Sequence, residues 1–309
     1  MSSLPQREER RGRAEVVRLP VRRGSVLAAL VALRPRQWPK NLLLFAGILF
    51  AAELGDAARW GAAVTAFAAY CVSSSAAYLA NDVRDAESDR LHPLKRERPV
   101  ARGELSRRAA VALAVALAAV GLALAFALGL VTGLLLALFL ALQAAYTLSL
   151  RSVVLLDVMA IAALFVVRAA AGAEAVDVRI SPWLLLCTAL LALFLALAKR
   201  RGELLLAEQA ATPGRAVLSG YSLPLVDQLL TVVTAATIVA YSLYTFGSVH
   251  SAALMLTIPF VVFGLFRYLL LVHRDDLGEE PEQILLSDRP ILAAVALWTL
   301  TSAVILTLA

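Results

Sequence analysis

The chain has 309 residues, of which 61% are hydrophobic and only 17% are charged. This apolar share is far above that of a soluble domain, so the composition excludes a soluble globular enzyme. The net charge of +6 does not indicate a nucleic-acid partner, because the basic residues lie beside long apolar runs, where they suit membrane topology and anionic ligands. Cys71 and Cys187 both lie inside apolar segments, which predicts packing roles rather than a disulfide or a metal site.

The first residues form a basic tail, 1–24, which we expect to be flexible and cytoplasmic. No short apolar core followed by a cleavage site occurs there, so the pattern does not predict a secretory signal. Residues 25–36, SVLAALVALRPR, predict a short helix at the membrane interface. We expect residues 25–309 to form a single transmembrane catalytic domain.

Apolar blocks of about 20 residues, the length needed to cross a bilayer as a helix, recur along that domain. They predict an all-α integral membrane bundle, because helices satisfy their own backbone hydrogen bonds in lipid. No internal repeat is visible in the sequence. The nine predicted transmembrane helices cover residues 39–54, 60–80, 107–127, 130–148, 153–172, 182–199, 225–246, 251–272 and 290–308.

The basic residues predict the orientation of this bundle. With the N-terminus inside, all of the 29 Lys and Arg residues except Arg59, Arg168 and Arg179 fall in the tail or in inner loops. We therefore expect a multi-pass protein of a bacterial plasma membrane, with its active-site cavity on the cytoplasmic side and its C-terminus outside. Arg168 lies within the fifth span, toward its outer end, and we expect it to be a structural or snorkelling cation. The acidic loop 273–289 predicts either a lid or partner surface, or a solvated connector.

Residues 81–103, NDVRDAESDRLHPLKRERPVARG, form the longest polar interruption between two spans. If the first part is helical, Asn81, Asp85 and Asp89 project from one face along about 12 Å. Such a row of oxygen ligands suits Mg²⁺, which usually binds through a few carboxylates plus substrate phosphates. Asp82 would point about 100° away from Asn81. The alternative is a solvated membrane loop whose charges only stay hydrated.

Two basic clusters border the inner side of the predicted bundle. In RPRQWPKN, residues 34–41, Lys40 follows Trp38, an aromatic residue typical of the headgroup level; it either reaches a phosphate or serves as a positive-inside anchor. Residues 199–203 contain Lys199, Arg200, Arg201 and Glu203. These cations either clamp phosphates opposite the acidic row or stabilise the end of a helix dipole.

A third group follows the fourth span and consists of Tyr146, Arg151 and Asp157. Asp157 is flanked by VVLL and VMAIAALFVV, so we expect it inside the bilayer. An intramembrane carboxylate is costly and is a functional candidate by default. The alternative is a structural pair in which Arg151 or Lys199 neutralises it.

The polar stretch also resembles a known family. The pattern Asn81-Asp82-x-x-Asp85-x-x-x-Asp89, followed by His92-Pro93-x-Lys95-x-x-Arg98-Pro99-x-x-x-Gly103, is similar to that of the UbiA prenyltransferase superfamily, whose fold agrees with nine spans. Within it, RPRQWPKN, DRLHPLKRERPVARG and AKRRGEL resemble the decaprenyl-phosphate phosphoribosyltransferases of mycobacteria and their relatives. The resemblance covers nearly the whole chain except the tail. Members that use a prenyl diphosphate carry a second Asp-x-x-x-Asp, whereas here Asp157 is followed by Ile161 at the fourth position.

This resemblance implies transfer of 5-phosphoribose from phosphoribosyl pyrophosphate to a polyprenyl phosphate, decaprenyl phosphate in the family. The family product is a precursor of the arabinose donor for cell-wall arabinan, a part of arabinogalactan. The implied Mg²⁺ ligands are Asn81, Asp85 and Asp89, and Asp82 is implied as a further catalytic group that binds metal or ribose. The residues implied in substrate binding are Lys40, Lys95, Arg98, Tyr146, Arg151, Asp157, Lys199 and Arg200.

Two other functions remain open from the sequence. A prenyltransferase that moves a prenyl group from its diphosphate to an aromatic acceptor predicts a second acidic cluster, which we do not find. A transporter of an anionic solute predicts charged sites near the bilayer midplane, on broken helices within internal repeats. A homo-oligomer is compatible with the sequence, which leaves the oligomeric state open.

Overall fold

A computed structural model describes residues 23–50, 55–91, 95–179, 181–210, 216–247, 252–274, 284 and 287–308. Every regular element in this part of the chain is helical. The α-helices are α1 (Ser25–Ala32), α2 (Ala46–Phe50), α3 (Ala57–Arg84), α4 (Ala86–Leu91), α5 (Arg107–Leu128), α6 (Leu130–Leu148), α7 (Leu156–Ala175), α8 (Pro182–Ala210), α9 (Leu223–Phe246), α10 (Ile258–Arg274) and α11 (Arg289–Leu308). Short 3₁₀ helices cover Pro35–Phe45, Lys95–Glu97, Leu150–Ser152, Ala216–Gly220 and Ala252–Thr257.

Eight helices in the described residues are long and apolar enough to cross a membrane. They correspond to the second to ninth predicted spans, and the all-α bundle is confirmed. The first predicted span, 39–54, was wrong as a continuous α-helix in the part described. Pro35–Phe45 is a 3₁₀ helix and α2 covers Ala46–Phe50, while residues 51–54 lie outside the described residues. Pro39 lies inside the 3₁₀ helix, where its missing N–H prevents a regular α-helical hydrogen bond.

The sixth predicted span ended too early. Helix α8 continues from Pro182 to Ala210, so Lys199, Arg200 and Arg201 lie within the helix and not at its C-terminus. The explanation based on the helix dipole is therefore wrong, because that effect is confined to the last turn. The residues after the basic run, GELLLAEQA, are mostly strong helix formers, which explains the continuation.

Helix α1 confirms the short helix predicted within residues 25–36. Val26, Leu27 and Leu30 are exposed on it, as expected of a helix that lies on a membrane surface. Most of the predicted tail, residues 1–22, lies outside the described residues. Arg23, at its end, is not free: its backbone N–H donates to Glu104 at 3.3 Å.

Two of the apolar cores in the described residues share helix α7. One joins α3, α5, α6 and α7 around Tyr70 and Phe139, whose ring centroids are 5.1 Å apart. The other joins α8, α9 and α10 around Phe194 and Tyr268, with centroids 5.2 Å apart. Helix α7 contacts both halves, so residues at its beginning can connect side chains from α3 with side chains from α8.

The segment before α3 packs closely against α7. A Cβ atom added to Gly172 would lie 2.2 Å from the carbonyl oxygen of Leu44, and one added to Gly47 would lie 2.7 Å from the Cα of Ala173. Only glycine allows backbones to approach this closely. These contacts fix the segment that carries Lys40 against the bundle.

We expect Gly172→Ala to lower the free energy of unfolding by about 1–3 kcal/mol, because the added methyl group would overlap backbone atoms that cannot rotate away. Thermal unfolding of the purified protein in detergent would measure this loss. Gly264→Ala is the matched control, since nothing lies within 4 Å of its added Cβ. That change should be neutral or stabilising, because alanine is the better helix former. Equal stability of the two variants would contradict the close approach.

The loop predicted over 273–289 lies mostly outside the described residues. At its end, Asp288 pairs with Arg267 at 2.9 Å and accepts a hydrogen bond from the N–H of Ile291 at 2.9 Å. Asp288 therefore caps α11 and ties it to α10. The choice between a lid and a connector stays a prediction for the rest of the loop.

Candidate functional site

The acidic row lies where α3 ends and α4 begins. Asn81 and Asp82 are in the last turn of α3, Asp85 is its C-cap, and Asp89 is in α4. Asp85 departs from helical geometry, with φ −90° and ψ 4°, so the row is not on one ideal helix. However, the N–H of Asp85 donates to the carbonyl of Asn81 at 2.9 Å, and the N–H of Asp89 donates to that of Asp85 at 2.8 Å. The predicted spacing of one turn between successive members is therefore kept across the bend.

Each carboxylate of the row contacts an arginine. Arg151 donates two hydrogen bonds to Asp85, at 2.9 and 3.0 Å, from a position 66 residues further along the chain. These hydrogen bonds hold the pKa of the Asp85 carboxyl group below its usual value. Arg98 contacts Asp89 at 2.7 Å and Asp82 at 3.3 Å. The structure thus brings together Asp82, Asp85, Asp89, Arg98 and Arg151, all of which the sequence named.

Arg34 is a member of this site that our interpretation of the sequence missed. Its guanidinium group pairs with Asp82 and lies 5.0 Å from the ring centroid of Tyr78. Its backbone is left-handed, with φ 53° and ψ 59°, which is uncommon for a residue other than glycine. A signal was present, because Arg34 begins the RPRQWPKN motif, but we considered only its later members as ligands.

The oxygens of this row fit a divalent cation. Asn81 Oδ1 and Asp82 Oδ2 are buried and have no hydrogen-bond partner among the described residues. A buried oxygen without a partner is costly and calls for an explanation, such as an ion. No three His, Cys, Asp or Glu side chains converge within the described part. Mg²⁺ usually takes only a few ligands from the protein and completes its coordination with substrate phosphates and water. The ligand set Asn81, Asp85 and Asp89 stays a prediction.

A second buried network lies at the start of α7. Asp157 is fully buried and accepts hydrogen bonds from Arg200 Nε at 2.7 Å and from Tyr221 Oη at 2.6 Å. Arg200 also pairs with Glu203. The alternative of a structural pair named Arg151 or Lys199 as the partner of Asp157, whereas the structure pairs Asp157 with Arg200, the residue after Lys199 on α8. Arg200 is only 1% exposed, so its side chain is part of the wall and not of the free surface.

Tyr146 is near both networks. It is close enough to interact electrostatically with both Arg151 and Arg200. Tyr146, near the end of α6, is thus near the arginine of each network. Tyr221 belongs to the Asp157 network, and no local sequence pattern indicated it.

The three lysines of the predicted site lie on the segments that border it. Lys40 is half-buried in the 3₁₀ helix that precedes α2. Lys95 is half-buried at the start of the 3₁₀ helix that leads to Arg98, and Lys199 is half-buried beside Arg200. His92, which is part of the motif, lies outside the described residues.

Arg168 is not a snorkelling cation. It is 6% exposed, its Nε donates to Asn41 Oδ1 at 2.9 Å, and it lies over the rings of Phe139 and Phe165 at 4.6 and 5.1 Å. Asn41 in turn donates to Cys71 Sγ at 3.3 Å. Arg168 therefore fastens the Lys40 segment to α7, and Cys71 has the packing role predicted for it.

The chain is similar to known proteins over most of its length. It matches the family described as the UbiA prenyltransferase family over residues 41–287. It is 35% identical over 289 residues to the decaprenyl-phosphate phosphoribosyltransferase of Mycolicibacterium smegmatis, covering 88% of this chain and 90% of that protein. It is 34% identical over 278 residues to the protein of that name from Corynebacterium glutamicum, covering 86% of this chain and 83% of the relative.

Solved structures support the same fold. A UbiA homolog from Archaeoglobus fulgidus bound to GPP and Mg²⁺ superposes with a TM-score of 0.71 at 19% identity, covering 91% of this chain and 99% of that one. The apo structure of a UbiA homolog from Aeropyrum pernix K1 gives 0.61 at 18% identity, covering 86% and 94%. The family match and the curated relatives both span most of the chain, and the chain therefore belongs to the UbiA prenyltransferase family.

Proposed function

We propose that this protein transfers 5-phosphoribose from phosphoribosyl pyrophosphate to a polyprenyl phosphate and releases pyrophosphate. It is a multi-pass membrane protein, and relatives that share about a third of its residues are decaprenyl-phosphate phosphoribosyltransferases. The observation that carries the proposal is the row of carboxylates faced by Arg34, Arg98 and Arg151. A surface of oxygen ligands beside fixed guanidinium groups suits a metal-bound diphosphate.

Asn81, Asp85 and Asp89 are the residues that would hold the divalent cation, and the buried Asn81 oxygen without a partner supports this. When bound, Mg²⁺ supplies positive charge that stabilises the departing pyrophosphate. Homologous structures bound to Mg²⁺ support the choice of metal. Asp82 orients Arg34 and Arg98, which both contact it.

The arginines are the main contacts for the donor phosphates. A guanidinium group presents a rigid set of donors that matches phosphate oxygens, and Arg151 already shows a bidentate arrangement with Asp85. Lys95 and Lys199 supply further charge beside the row, and Lys40 binds the phosphate of the lipid acceptor. Because Arg200 is buried, we assign it a role in holding the wall of the site through Asp157 and Glu203.

The reaction needs no general base. The bond between C1 of the ribose and the pyrophosphate oxygen breaks, and a bond forms between C1 and an oxygen of the polyprenyl phosphate. That oxygen is already anionic at neutral pH, so no proton has to be removed from it. The residues of the site bind, orient and neutralise the phosphates, which is the usual way in which enzymes accelerate reactions of charged substrates.

The orientation is also a proposal. The distribution of Lys and Arg supports a cytoplasmic N-terminus and a site that opens to the cytoplasm. The donor is water-soluble and would reach the site from that side, whereas the polyprenyl chain stays in the membrane.

The test is a transfer assay with purified protein, Mg²⁺, phosphoribosyl pyrophosphate and decaprenyl phosphate, followed by mass spectrometry of the lipid fraction. We expect a phosphoribosyl lipid and release of pyrophosphate, both abolished by EDTA and restored by added Mg²⁺. An active preparation that instead moves a prenyl group from its diphosphate to an aromatic acceptor would contradict the proposal. Solute flux into proteoliposomes without chemical change would contradict it as well.

A further inference from the structure

The turn before α7 contains a backbone conformation that needs support. Leu155 has φ 67° and ψ −39°, which is unfavourable for a residue with a Cβ atom. Such conformations persist only where the surrounding structure holds them. The N–H of Leu155 donates to Tyr221 Oη at 2.8 Å, so the phenol is the side chain that binds the backbone of this turn, beside the backbone hydrogen bonds of the turn itself.

The same hydroxyl group holds the start of α7. Tyr221 Oη donates to Asp157 Oδ1 at 2.6 Å, while Asp157 Oδ2 accepts from Arg200 Nε at 2.7 Å. Burial raises the pKa of Tyr221 to about 12, so the phenol keeps its proton and remains a donor at neutral pH. The hydroxyl group of Tyr221 therefore accepts a hydrogen bond from the backbone of a strained turn and donates one to the fully buried carboxylate of Asp157.

The segment that carries Tyr221 is packed directly on this turn. A Cβ atom added to Gly220 would lie 2.3 Å from Val154 Cγ2. The turn follows the 3₁₀ helix Leu150–Ser152, whose Arg151 makes two hydrogen bonds with Asp85. The position of Arg151 over the acidic row therefore depends on how this turn is held.

We propose that Tyr221 is a positioning residue for the transfer reaction. Its hydroxyl group fixes the turn behind Arg151 and the carboxylate that orients Arg200, and it does so without contacting a substrate. The proposal rests on the proposed function, which assigns Arg151 to the donor phosphates. It adds a residue from the segment between α8 and α9 that the motif of the acidic row does not contain.

The test is Tyr221→Phe, which keeps the ring and removes only the hydroxyl group. We expect the KM for phosphoribosyl pyrophosphate to rise about tenfold, because the hydroxyl group no longer holds the turn behind Arg151, the arginine assigned to the donor phosphates. We expect kcat to change by less than about threefold, since the reacting atoms keep their neighbours. Hydrogen exchange of the peptide that contains Leu155, measured by mass spectrometry, should become faster.

Tyr241→Phe is the matched control. Tyr241 is also buried, and its hydroxyl group also takes part in two hydrogen bonds: it accepts from Trp298 Nε1 and shares a second one with Thr257 Oγ1, both at 2.6 Å. Tyr241 lies about 27 Å along α9 from Leu223, the first residue of that helix, which follows Tyr221 closely in the sequence. The control should lose stability without any change in KM.

The two readouts separate the proposals. If Tyr221→Phe behaves as Tyr241→Phe does, with lower stability and an unchanged KM, the role is purely structural and the inference is wrong. Unchanged exchange at Leu155 would also overturn it, and this measurement needs no substrate. A wild-type protein that protects Leu155 but makes no phosphoribosyl lipid would overturn the proposed function instead.

Discussion

Asp85→Asn is expected to reduce the transfer rate by about 1,000-fold or more. It removes a carboxylate charge that would hold the metal, and a bound metal stabilises the transition state by several kcal/mol. The asparagine keeps the shape of the side chain, so the protein should remain folded. Asp85 and Arg151 are both partly exposed, and the loss of their pair should therefore cost only about 1 kcal/mol or less of stability. Initial rates at several Mg²⁺ concentrations, together with thermal unfolding, would measure both effects.

Glu87→Gln is the control for this change. Glu87 lies between Asp85 and Asp89 in the sequence, but its carboxylate is exposed on α4 and pairs with Arg107 at the surface. Surface pairs of this kind contribute little. We expect near-normal rates from Glu87→Gln. The expected reduction in turnover is about 1,000-fold. If Asp85→Asn retained more than about a tenth of wild-type turnover at saturating Mg²⁺, the assignment of the metal ligands would be wrong.

Arg200→Met is expected to have the largest effect on stability, a loss of about 3–5 kcal/mol. It leaves the carboxylate of Asp157 buried without its cation, since Asp157 is 0% exposed and Arg200 is its ion-pair partner. Tyr221 would still donate one hydrogen bond, but a neutral phenol does not compensate a buried charge. Thermal or chemical unfolding in detergent would measure the loss.

Two comparisons make this prediction specific. Arg201→Met removes the neighbouring arginine, whose partner Asp227 is partly exposed. Water can hydrate the carboxylate that remains, so the loss of stability should be smaller. The double variant Asp157→Asn with Arg200→Met should recover much of the stability, because the fully buried carboxylate is then neutral and Glu203, the other partner of Arg200, keeps some contact with water. A double variant as unstable as Arg200→Met alone would show that the loss comes from packing and not from the unpaired charge.

The errors in our predictions have local causes. A hydrophobicity pattern ends a span at the first charges, so it ended the sixth span at residue 199, although α8 continues to Ala210. Within a protein bundle, charged residues can stay helical because partners such as Asp157 and Asp227 lie on neighbouring elements. The same pattern extended the first span through Pro39, where the chain forms a 3₁₀ helix instead.

The sequence by itself determined the helical membrane architecture and the spacing of Asn81, Asp85 and Asp89. Both follow from local periodicity, because lipid requires helices and a helix repeats every 3.6 residues. Only the tertiary structure decided which charges meet: Arg34 with Asp82, Arg151 with Asp85 and Arg200 with Asp157, at separations of 48, 66 and 43 residues. A chain with 29 basic and 23 acidic residues allows many such pairs. Helix packing selects among them, because a buried charge is stable only where a neighbouring element places its partner within hydrogen-bond distance.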